Sequence, residues 1–291
     1  MPAADFYPSK DAALPAGLAA APPPWHLKAT LWTFLYSNAP STSTADVTKN
    51  VNNTLEVLQG APPGSYHPCE VPHSSALAPV GDKFQLQGGP RGIILVRYED
   101  TPVGPYDELI MLPGLYARPG KARGKAQRIT NIYVSTDESV VNGRRNWYIP
   151  KHRADFVFKP IDARRTEVTV SHPPDSPLHT GTPFFRAILT RSRVPLLPLP
   201  AFSMPALVQP PLSAPRYEEG IMPAVISSEN THPWLSVAPT YKGRWGLAWI
   251  GKVEGAETYG DGVGFPTLEG LWSLGCVFEG LIDFPASKVV E

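Results

Sequence analysis

Proline and glycine are spread along this sequence so densely that its secondary-structure elements must be short. The 291 residues include 35 prolines and 24 glycines. Because proline lacks a backbone N–H and has a fixed φ, it interrupts helices and central strands. The segments between these interruptions are rich in aromatic and β-branched residues, which are typical of strands, and their close spacing argues against alternating βαβ units. The sequence predicts a mainly β protein of the α+β class with a few short helices, built on an antiparallel sheet that is closed or partly closed into a barrel, or on two packed sheets.

The order of segments predicts one main domain. Strands are predicted at residues 25–36, 70–79, 83–87, 92–99, 106–116, 127–135, 156–160, 167–172 and 244–251. A short helix is predicted within 41–58 and a final helix over 267–278. The proline-rich run 194–215 is too apolar for a solvated linker, so we expect it to cross or cover the barrel. The sequence therefore predicts a proline- and alanine-rich arm over 1–24 and a single domain over 25–291.

Composition argues against several classes of partner. Basic and acidic residues both number 26, so the formal net charge is zero and a basic nucleic-acid-binding surface is not expected. Prolines interrupt the longest uncharged run, which argues against a membrane span. The alanine-rich start lacks the basic leader of a secretory signal. Two cysteines are too few for a disulfide framework. Together these features predict a cytoplasmic protein.

Motifs for metals and cofactors are missing from the sequence. The seven histidines show neither HxxxH nor HxH spacing, so no metal site is predicted. The glycine-rich run at 260–264 lacks the lysine that follows a phosphate loop, and it is interpreted as a turn. A GxSxG serine-hydrolase elbow is absent. We therefore expect no cofactor.

Lys151 carries the strongest chemical signal. It follows Pro150, which cannot continue a helix, so the apolar residues 147–149 are expected to run extended into it. A capping-box spacing at 135–138 predicts a helix over 136–145 just upstream. Loss of water around a lysine lowers its pKa, and an unprotonated amine can form a Schiff base with a ketone. These residues alone leave open whether Lys151 is such a nucleophile or a solvated lysine that begins a strand.

Two short motifs occur in order between residues 92 and 160. The first is GPYDE, which ends at Glu108, and the second joins Gly143-Arg144 to the run Ile149-Pro150-Lys151-His152. In order and spacing they resemble a divergent, fungal-type member of the acetoacetate decarboxylase-like superfamily. The resemblance implies the β-barrel fold of that superfamily, a homo-oligomer and a place in secondary metabolism. It also implies Lys151 as the Schiff-base lysine, Glu108 as a group that orients substrate or moves a proton, and His152 as a residue that tunes or shuttles protons.

Three positions depart from the decarboxylases of that superfamily. His152 stands where those enzymes have a second lysine whose charge lowers the pKa of the first. Those enzymes have another pocket glutamate upstream of the glutamate in their Tyr-x-Glu motif. The corresponding position in this sequence is Ile93, which cannot titrate. Their early basic residue has no exact counterpart, and Lys28 is merely nearby. Since a normal histidine is mostly neutral near pH 7, either burial or a nearby arginine lowers the lysine pKa, or this pKa is not lowered much at all.

Four residues are predicted to bind substrate: Arg97, Arg144, Trp147 and Lys28. Arg144 offers either a planar fork of donors to a carboxylate or a cation at a helix end. Arg97 lies in the apolar run ILVRYE. It needs a carboxylate partner such as Glu108 or Glu99 if it points inward, and it is an ordinary edge charge if it points outward.

Two classes of function are consistent with these residues. The first is a Schiff-base lyase acting on a keto or β-keto acid, by decarboxylation or by aldol-dehydration or cyclisation of a polyketide-like metabolite. In that case Lys151 forms an iminium that acts as an electron sink. The alternative is a non-catalytic small-molecule-binding protein on the same scaffold. The 10% aromatic content favours a roomy hydrophobic pocket over one for a very small anion.

Overall fold

The computed structural model describes residues 14–37, 61–70, 86–119, 124–212, 216–218, 220–222 and 233–290. These residues form eighteen strands, one α-helix and one short 3-10 turn. The helix α1 is Asp137–Trp147 and the 3-10 turn is Pro68–Glu70. In chain order the strands are β1 (Trp25–Leu35), β2 (Gly92–Asp100), β3 (Tyr106–Leu112), β4 (Leu115–Ala117), β5 (Lys125–Gln127), β6 (Asn131–Val134), β7 (Lys151–Arg153), β8 (Asp155–Pro160), β9 (Arg165–Ser171), β10 (Phe185–Arg191), β11 (Leu197–Ser203), β12 (Leu207–Gln209), β13 (Arg216–Glu218), β14 (Gly220–Met222), β15 (Leu235–Val237), β16 (Thr240–Gly251), β17 (Leu274–Phe284) and β18 (Lys288–Val289).

An eleven-stranded sheet dominates the architecture. Its strands follow the order β7-β6-β3-β2-β1-β17-β16-β10-β9-β8, and β11 also pairs with β16. Only β6 and β7, which α1 connects, are parallel within the pairs described for this sheet. The sheet curls into a nearly closed barrel. Five further strands form a second sheet in the order β18-β15-β12-β5-β4, and β13 pairs with β14. The predicted mainly β, barrel-like fold is confirmed.

Both faces of the large sheet are buried in its central strands. Alternate residues of β2 belong to two separate hydrophobic clusters: Ile94 and Val96 to the first core, and Ile93 and Leu95 to the second core. Strand geometry explains this division, because successive side chains point to opposite faces. A strand buried on both faces has a continuous apolar run and no alternation. The sequence therefore identifies β2 as a strand without showing which residues face which core.

Helix α1 begins and ends at identifiable signals. The N-cap is Thr136, whose hydroxyl accepts a hydrogen bond from the Ser139 N–H at 3.4 Å, one residue later than the predicted capping box. The C-cap Tyr148 has a left-handed φ of 55°, and its N–H donates to the Arg144 carbonyl. The helix thus includes Trp147, which was predicted to be extended. It stops just before Ile149, the residue that precedes proline and is disfavoured from helical geometry.

The predicted final helix over 267–278 is wrong, because its second half belongs to strand β17. That strand lies between β1 and β16 and pairs with both along most of its length. Gly275 permits the close approach, since a Cβ there would lie 2.2 Å from the carbonyl oxygen of Thr33. Pairing with two neighbours outweighs the weak local preference for a helix.

Other predicted segments have mixed outcomes. The hairpin at 156–172 is present as β8 and β9. The predicted strand at 127–135 is shorter, since only β6 lies within it as a regular strand. Glu70, predicted to begin a strand, ends a 3-10 turn. The predicted helix within 41–58 and most of the strands at 70–79 and 83–87 lie outside the described residues.

The described part of the predicted arm packs on the helix. Asn142 of α1 accepts a hydrogen bond from the Ala21 N–H at 2.7 Å and donates to the Ala19 carbonyl at 2.9 Å. The proline-rich run is also ordered where described, because β11 pairs with the first half of β16. Both segments therefore lie against the domain.

Candidate active site

An apolar cavity lies on the first-core side of the large sheet. Its walls come from β1, β2, β3 and α1, and from the proline-rich run, which contributes Met204 and Pro205. The cavity has a volume of about 60 Å³, which is more than a single water molecule requires.

Lys151 places its ammonium in the wall of this cavity. Its Nζ lies 2.8 Å from Oε2 of Glu108 and donates to Oγ of Ser139 at 3.0 Å. A longer hydrogen bond of 3.4 Å reaches the hydroxyl of Tyr106. The side chains of Lys151 and Glu108 are 5% and 4% exposed. The cavity therefore contains a desolvated ion pair between two of the residues that the motifs indicated.

Strand and helix periodicities bring these groups together. Tyr106 and Glu108 are two residues apart on β3, so both face the first core. Lys151 is opposite Ile132 in the parallel pair of β6 and β7, and Ile132 also belongs to the first core. Ser139 lies in the first turn of α1, next to the lysine ammonium. Three separate elements thus supply the site.

Gly143 makes room for the lysine side chain. A Cβ built on this glycine would lie 2.5 Å from Cδ and 2.7 Å from Cε of Lys151. Gly143 is four residues after Ser139, so both face the same side of the helix. The helix therefore contacts the lysine stem at one turn and its ammonium at the preceding turn.

The pKa of Lys151 is raised, whereas the sequence predicted a pKa that is lowered or little changed. Burial alone would lower this pKa, but the Glu108 carboxylate and the Tyr106 hydroxyl together outweigh burial. Tyr98 donates a hydrogen bond to the other oxygen of Glu108 at 3.2 Å. Burial, followed by the charge of Glu108, raises the pKa of Tyr98 well above its usual value, and Tyr98 stays a neutral donor. The lysine is therefore held as an ammonium in the absence of substrate.

His152 points away from the cavity, which corrects its predicted place beside the reactive amine. Because it follows Lys151 on the same strand, its side chain lies on the opposite face. Its Nε2 is 2.9 Å from Oε1 of Glu70, and its ring stacks on His67 with centroids 3.4 Å apart. Burial, and then the charge of Arg144, holds the pKa of His152 well below its usual range. The imidazole is neutral and belongs to a separate buried cluster.

Arg144 belongs to the same cluster and does not line the cavity, which corrects its predicted contact with substrate. Its guanidinium forms a buried ion pair with Glu70. The same nitrogen, Nη1, lies 3.5 Å from the backbone carbonyl oxygen of Lys151. Arg144 therefore connects α1 to β7 behind the lysine, and its positive charge is opposed by the buried carboxylate of Glu70.

Two other predicted substrate ligands face solvent, and this too is a correction. Lys28 pairs with Glu99 at 2.7 Å on the exposed side of β1. Arg97 pairs with Asp107 at 3.0 Å and stacks over the ring of Phe158. Their neighbours along the strands face the first core, so alternation directs these two cations outward.

Trp147 lines the cavity, and its role in substrate binding stays a prediction. Its Nε1 donates to the Pro285 carbonyl at 2.8 Å, and its ring packs edge-on against Trp25. Ile93 lies in the second core. The residues of β2 that reach the cavity are Ile94 and Val96, which also cannot titrate, and Tyr98.

Sequence reasoning missed five polar residues of the site: Tyr98, Tyr106, Gln127, Ser139 and Tyr241. Tyr106 lies two residues before Glu108 on the same strand, so the alternation of side chains could have indicated that both face the same side. Tyr98 is directly opposite Tyr106 in the β2–β3 pair, so its position depends on strand register. Tyr241 comes from a distant strand. No local pattern predicts either placement.

The described residues contain neither a metal-binding cluster nor a membrane-spanning helix. No group of three or more histidine, cysteine, aspartate or glutamate side chains is arranged there to hold a metal ion. Within the same ranges, no helix has both the length and the apolar character needed to cross a membrane.

Sequence comparisons give short matches. No protein-family model matches the chain. It is 33% identical over 79 residues to Protein NEOXANTHIN-DEFICIENT 1 of Oryza sativa subsp. japonica, a match that covers 27% of this chain and 25% of the rice protein. The protein of the same name from Arabidopsis thaliana is 28% identical over 96 residues, covering 28% of this chain and 33% of that protein. The matches thus span about a quarter to a third of the length of these curated relatives.

Structural comparisons cover almost the whole chain. The crystal structure of acetoacetate decarboxylase from Legionella pneumophila covers 97% of this chain and 93% of its own, with a TM-score of 0.54 and 11% identity. The enduracididine biosynthesis enzyme MppR, complexed with pyruvate, covers 95% and 93%, with a TM-score of 0.50 and 12% identity. The acetoacetate decarboxylase-like fold implied by the two motifs is confirmed.

Proposed function

We propose that this protein is a lyase that acts on a keto or β-keto acid, or on a related carbonyl compound, through a Schiff base on Lys151. The observation that carries the proposal is the buried pairing of Lys151 with Glu108 in the wall of an apolar cavity. The fold likeness to acetoacetate decarboxylase supports the same class of chemistry.

Glu108 is placed to manage the protons of imine formation. It accepts the ammonium proton across the 2.8 Å hydrogen bond, which leaves a neutral amine to attack the substrate carbonyl. A C–N bond forms, and the carbonyl oxygen leaves as water with the proton that Glu108 returns. The resulting iminium accepts the electron pair of a neighbouring bond, so loss of carbon dioxide or breakage of another adjacent bond gives an enamine. Protonation and hydrolysis then release product and restore the lysine.

The surrounding side chains hold this pair in position. Tyr98 donates to the Glu108 oxygen that Lys151 does not use, which fixes the carboxylate plane. Ser139 and Tyr106 accept hydrogen bonds from the ammonium and aim it along the cavity wall. Gly143 leaves the space that the lysine stem occupies.

Borohydride trapping tests the proposal. The protein is incubated with a β-diketone or a keto acid and then with borohydride, and the adduct is mapped by peptide mass spectrometry. We expect a covalent adduct on Lys151 that is absent from the Lys151→Met variant. An unmodified Lys151, under conditions that trap acetoacetate decarboxylase itself, would contradict the imine mechanism.

A binding protein without catalysis is the second candidate, and one observation favours it. The raised pKa of Lys151 favours the protonated amine at neutral pH, and an ammonium is not a nucleophile. A non-catalytic protein would bind the diketone reversibly, as calorimetry would show, without forming the borohydride adduct. The enzyme requires both results.

A further inference from the structure

Charge is almost absent from the walls of the cavity. Among the described residues that line it, Lys151 is the one cation and Glu108 the one anion. The neutral polar groups are the hydroxyls of three tyrosines and the amide of Gln127, and the remaining lining residues are apolar. Since the two charges pair at 2.8 Å, the described lining has no net charge to offer a ligand.

Nearby cations are directed elsewhere. Lys28 and Arg97 are on the exposed side of their strands, each with its own carboxylate partner. Arg144 is paired with Glu70 behind β7. Arg128 is buried, but its guanidinium lies over the ring of Tyr116 at 4.3 Å and Arg128 does not line the cavity. No arginine or lysine of the described lining, apart from Lys151, can therefore meet a substrate carboxylate.

A carboxylate would be poorly accommodated here. An ionised group that leaves water for an apolar cavity needs a partner of opposite charge. Lys151 cannot be that partner and also the nucleophile, because it must first give up its proton. After that proton passes to Glu108, both groups are neutral, and the carboxylate of a keto acid has no cation in the described lining to pair with.

We propose that the cavity takes a neutral, largely apolar carbonyl compound, and that the reaction occurs at the carbons next to the carbonyl without loss of carbon dioxide. This inference rests on the imine chemistry proposed above.

The dehydration of a β-hydroxy ketone is one reaction of this kind. Lys151 forms the iminium and releases water, and Glu108 removes a proton from the α-carbon to give an enamine. The enamine expels the β-hydroxyl group, which leaves as water with the proton from Glu108. Hydrolysis of the iminium then frees the unsaturated ketone and the lysine.

A matched pair of ketones tests the charge preference. Levulinate and 5-methyl-2-hexanone share the segment CH3–CO–CH2–CH2. They differ in the end group, which is a carboxylate in levulinate and an isopropyl group in the hexanone. Borohydride trapping at Lys151 is measured for both near pH 7.5, and each rate is divided by the rate for a simple alkylamine. We expect the neutral ketone to be trapped at least about tenfold faster.

The outcomes separate this inference from the function on which it rests. Equal or faster trapping of levulinate would overturn the neutral-substrate inference and leave the imine mechanism standing. If neither ketone modified Lys151, the imine mechanism would fail and the inference with it.

A change in the wall provides a second test. Gln127 is buried and lines the cavity from β5. Gln127→Arg adds a cation there and should shift the trapping ratio towards levulinate by at least about tenfold, whereas the neutral Gln127→Met should keep the preference of the parent protein. A folded Gln127→Arg protein with an unchanged ratio would show that charge does not set the preference. If Gln127→Arg does not fold, the ratio of the two trapping rates in the parent protein still decides whether the cavity prefers a neutral ketone.

Discussion

The ammonium of Lys151 lies 2.8 Å from the carboxylate of Glu108, and both side chains are buried. Burial and the carboxylate act on the lysine in opposite directions, and the carboxylate, with Tyr106, prevails. The lysine is therefore stabilised as an ammonium. In the reaction proposed above, the balance between these two effects would set the pH range in which Lys151 is a nucleophile.

Glu108→Gln should lower the pH at which Lys151 reacts. The wild-type trapping rate should rise through pH 7 to about 10, since the pKa of Lys151 is above its ordinary value. Without the carboxylate, burial is opposed far less and lowers the lysine pKa. We expect the midpoint of the trapping rate against pH to fall by at least about one unit, within the 1–3 units typical of a nearby opposite charge.

Asp107→Asn is a matched control for that experiment. Asp107 is the neighbouring carboxylate on β3, but it faces outward and pairs with Arg97. Its replacement should leave the midpoint unchanged. If both variants, or neither, shift the midpoint, the pairing of Lys151 with Glu108 does not control the reactivity.

Gly143→Ala should displace the lysine side chain. The new methyl group would lie 2.5 Å from Cδ of Lys151, closer than packed atoms approach. Overpacking of this kind costs about 1–3 kcal/mol, partly offset by the better helix propensity of alanine, about 0.5–1 kcal/mol. We expect trapping to fall at least about tenfold while circular dichroism still shows the native fold.

Gly251→Ala provides the comparison for Gly143→Ala. A Cβ at Gly251 would meet nothing within 4 Å, so this change should alter neither stability nor trapping by much. Wild-type trapping by a folded Gly143→Ala protein would show that the site tolerates a displaced lysine stem.

His152→Ala should affect stability more than reactivity. The substitution removes a buried hydrogen bond to Glu70 and the stacking on His67. Loss of one partner of a buried polar group costs about 1–3 kcal/mol, which urea denaturation can measure. The trapping rate of the folded protein should stay within about threefold of the wild-type rate. A large loss of trapping at undiminished stability would instead assign the imidazole a role in proton transfer.

Acid should destabilise the protein before its carboxylates titrate. Burial chiefly lowers the pKa of His172 to about 4, and the pKa values of His67 and His152 are also well below their usual range. The unfolded chain therefore binds more protons than the native one below about pH 6.5, and stability is lost as the pH falls towards 4. Each histidine contributes a slope of at most about 1.4 kcal/mol per pH unit.

Urea denaturation at about pH 7.5, 6 and 5 would measure this slope. The His172→Gln variant should show a shallower decline between pH 6 and 5 than the parent, because it lacks one of the groups that titrate. A free energy of unfolding that does not change over this range would contradict neutral, buried histidines.

Local sequence patterns predicted the strands that carry the site more reliably than its ion pairs and electrostatics. Proline spacing and aromatic runs were sufficient for β1, β2 and the β8–β9 hairpin. The raised pKa of Lys151 was not predictable locally, because its cause is Glu108, which reaches it through strand register. The outward positions of Arg97 and Lys28 depend on which face of each strand is covered, and strands buried on both faces do not reveal this. The β17 strand was mistaken for a helix because its two neighbours are distant in sequence.

The alternation of side chains on β7 separates two adjacent residues into different selective environments. Lys151 faces the cavity, and His152 faces a cluster whose contacts are structural. If Lys151 acts as proposed, a substitution at position 152 is tested by selection mainly for folding, and one at position 151 mainly for chemistry. The buried cluster around His152 and the wall of the cavity can then change independently of each other.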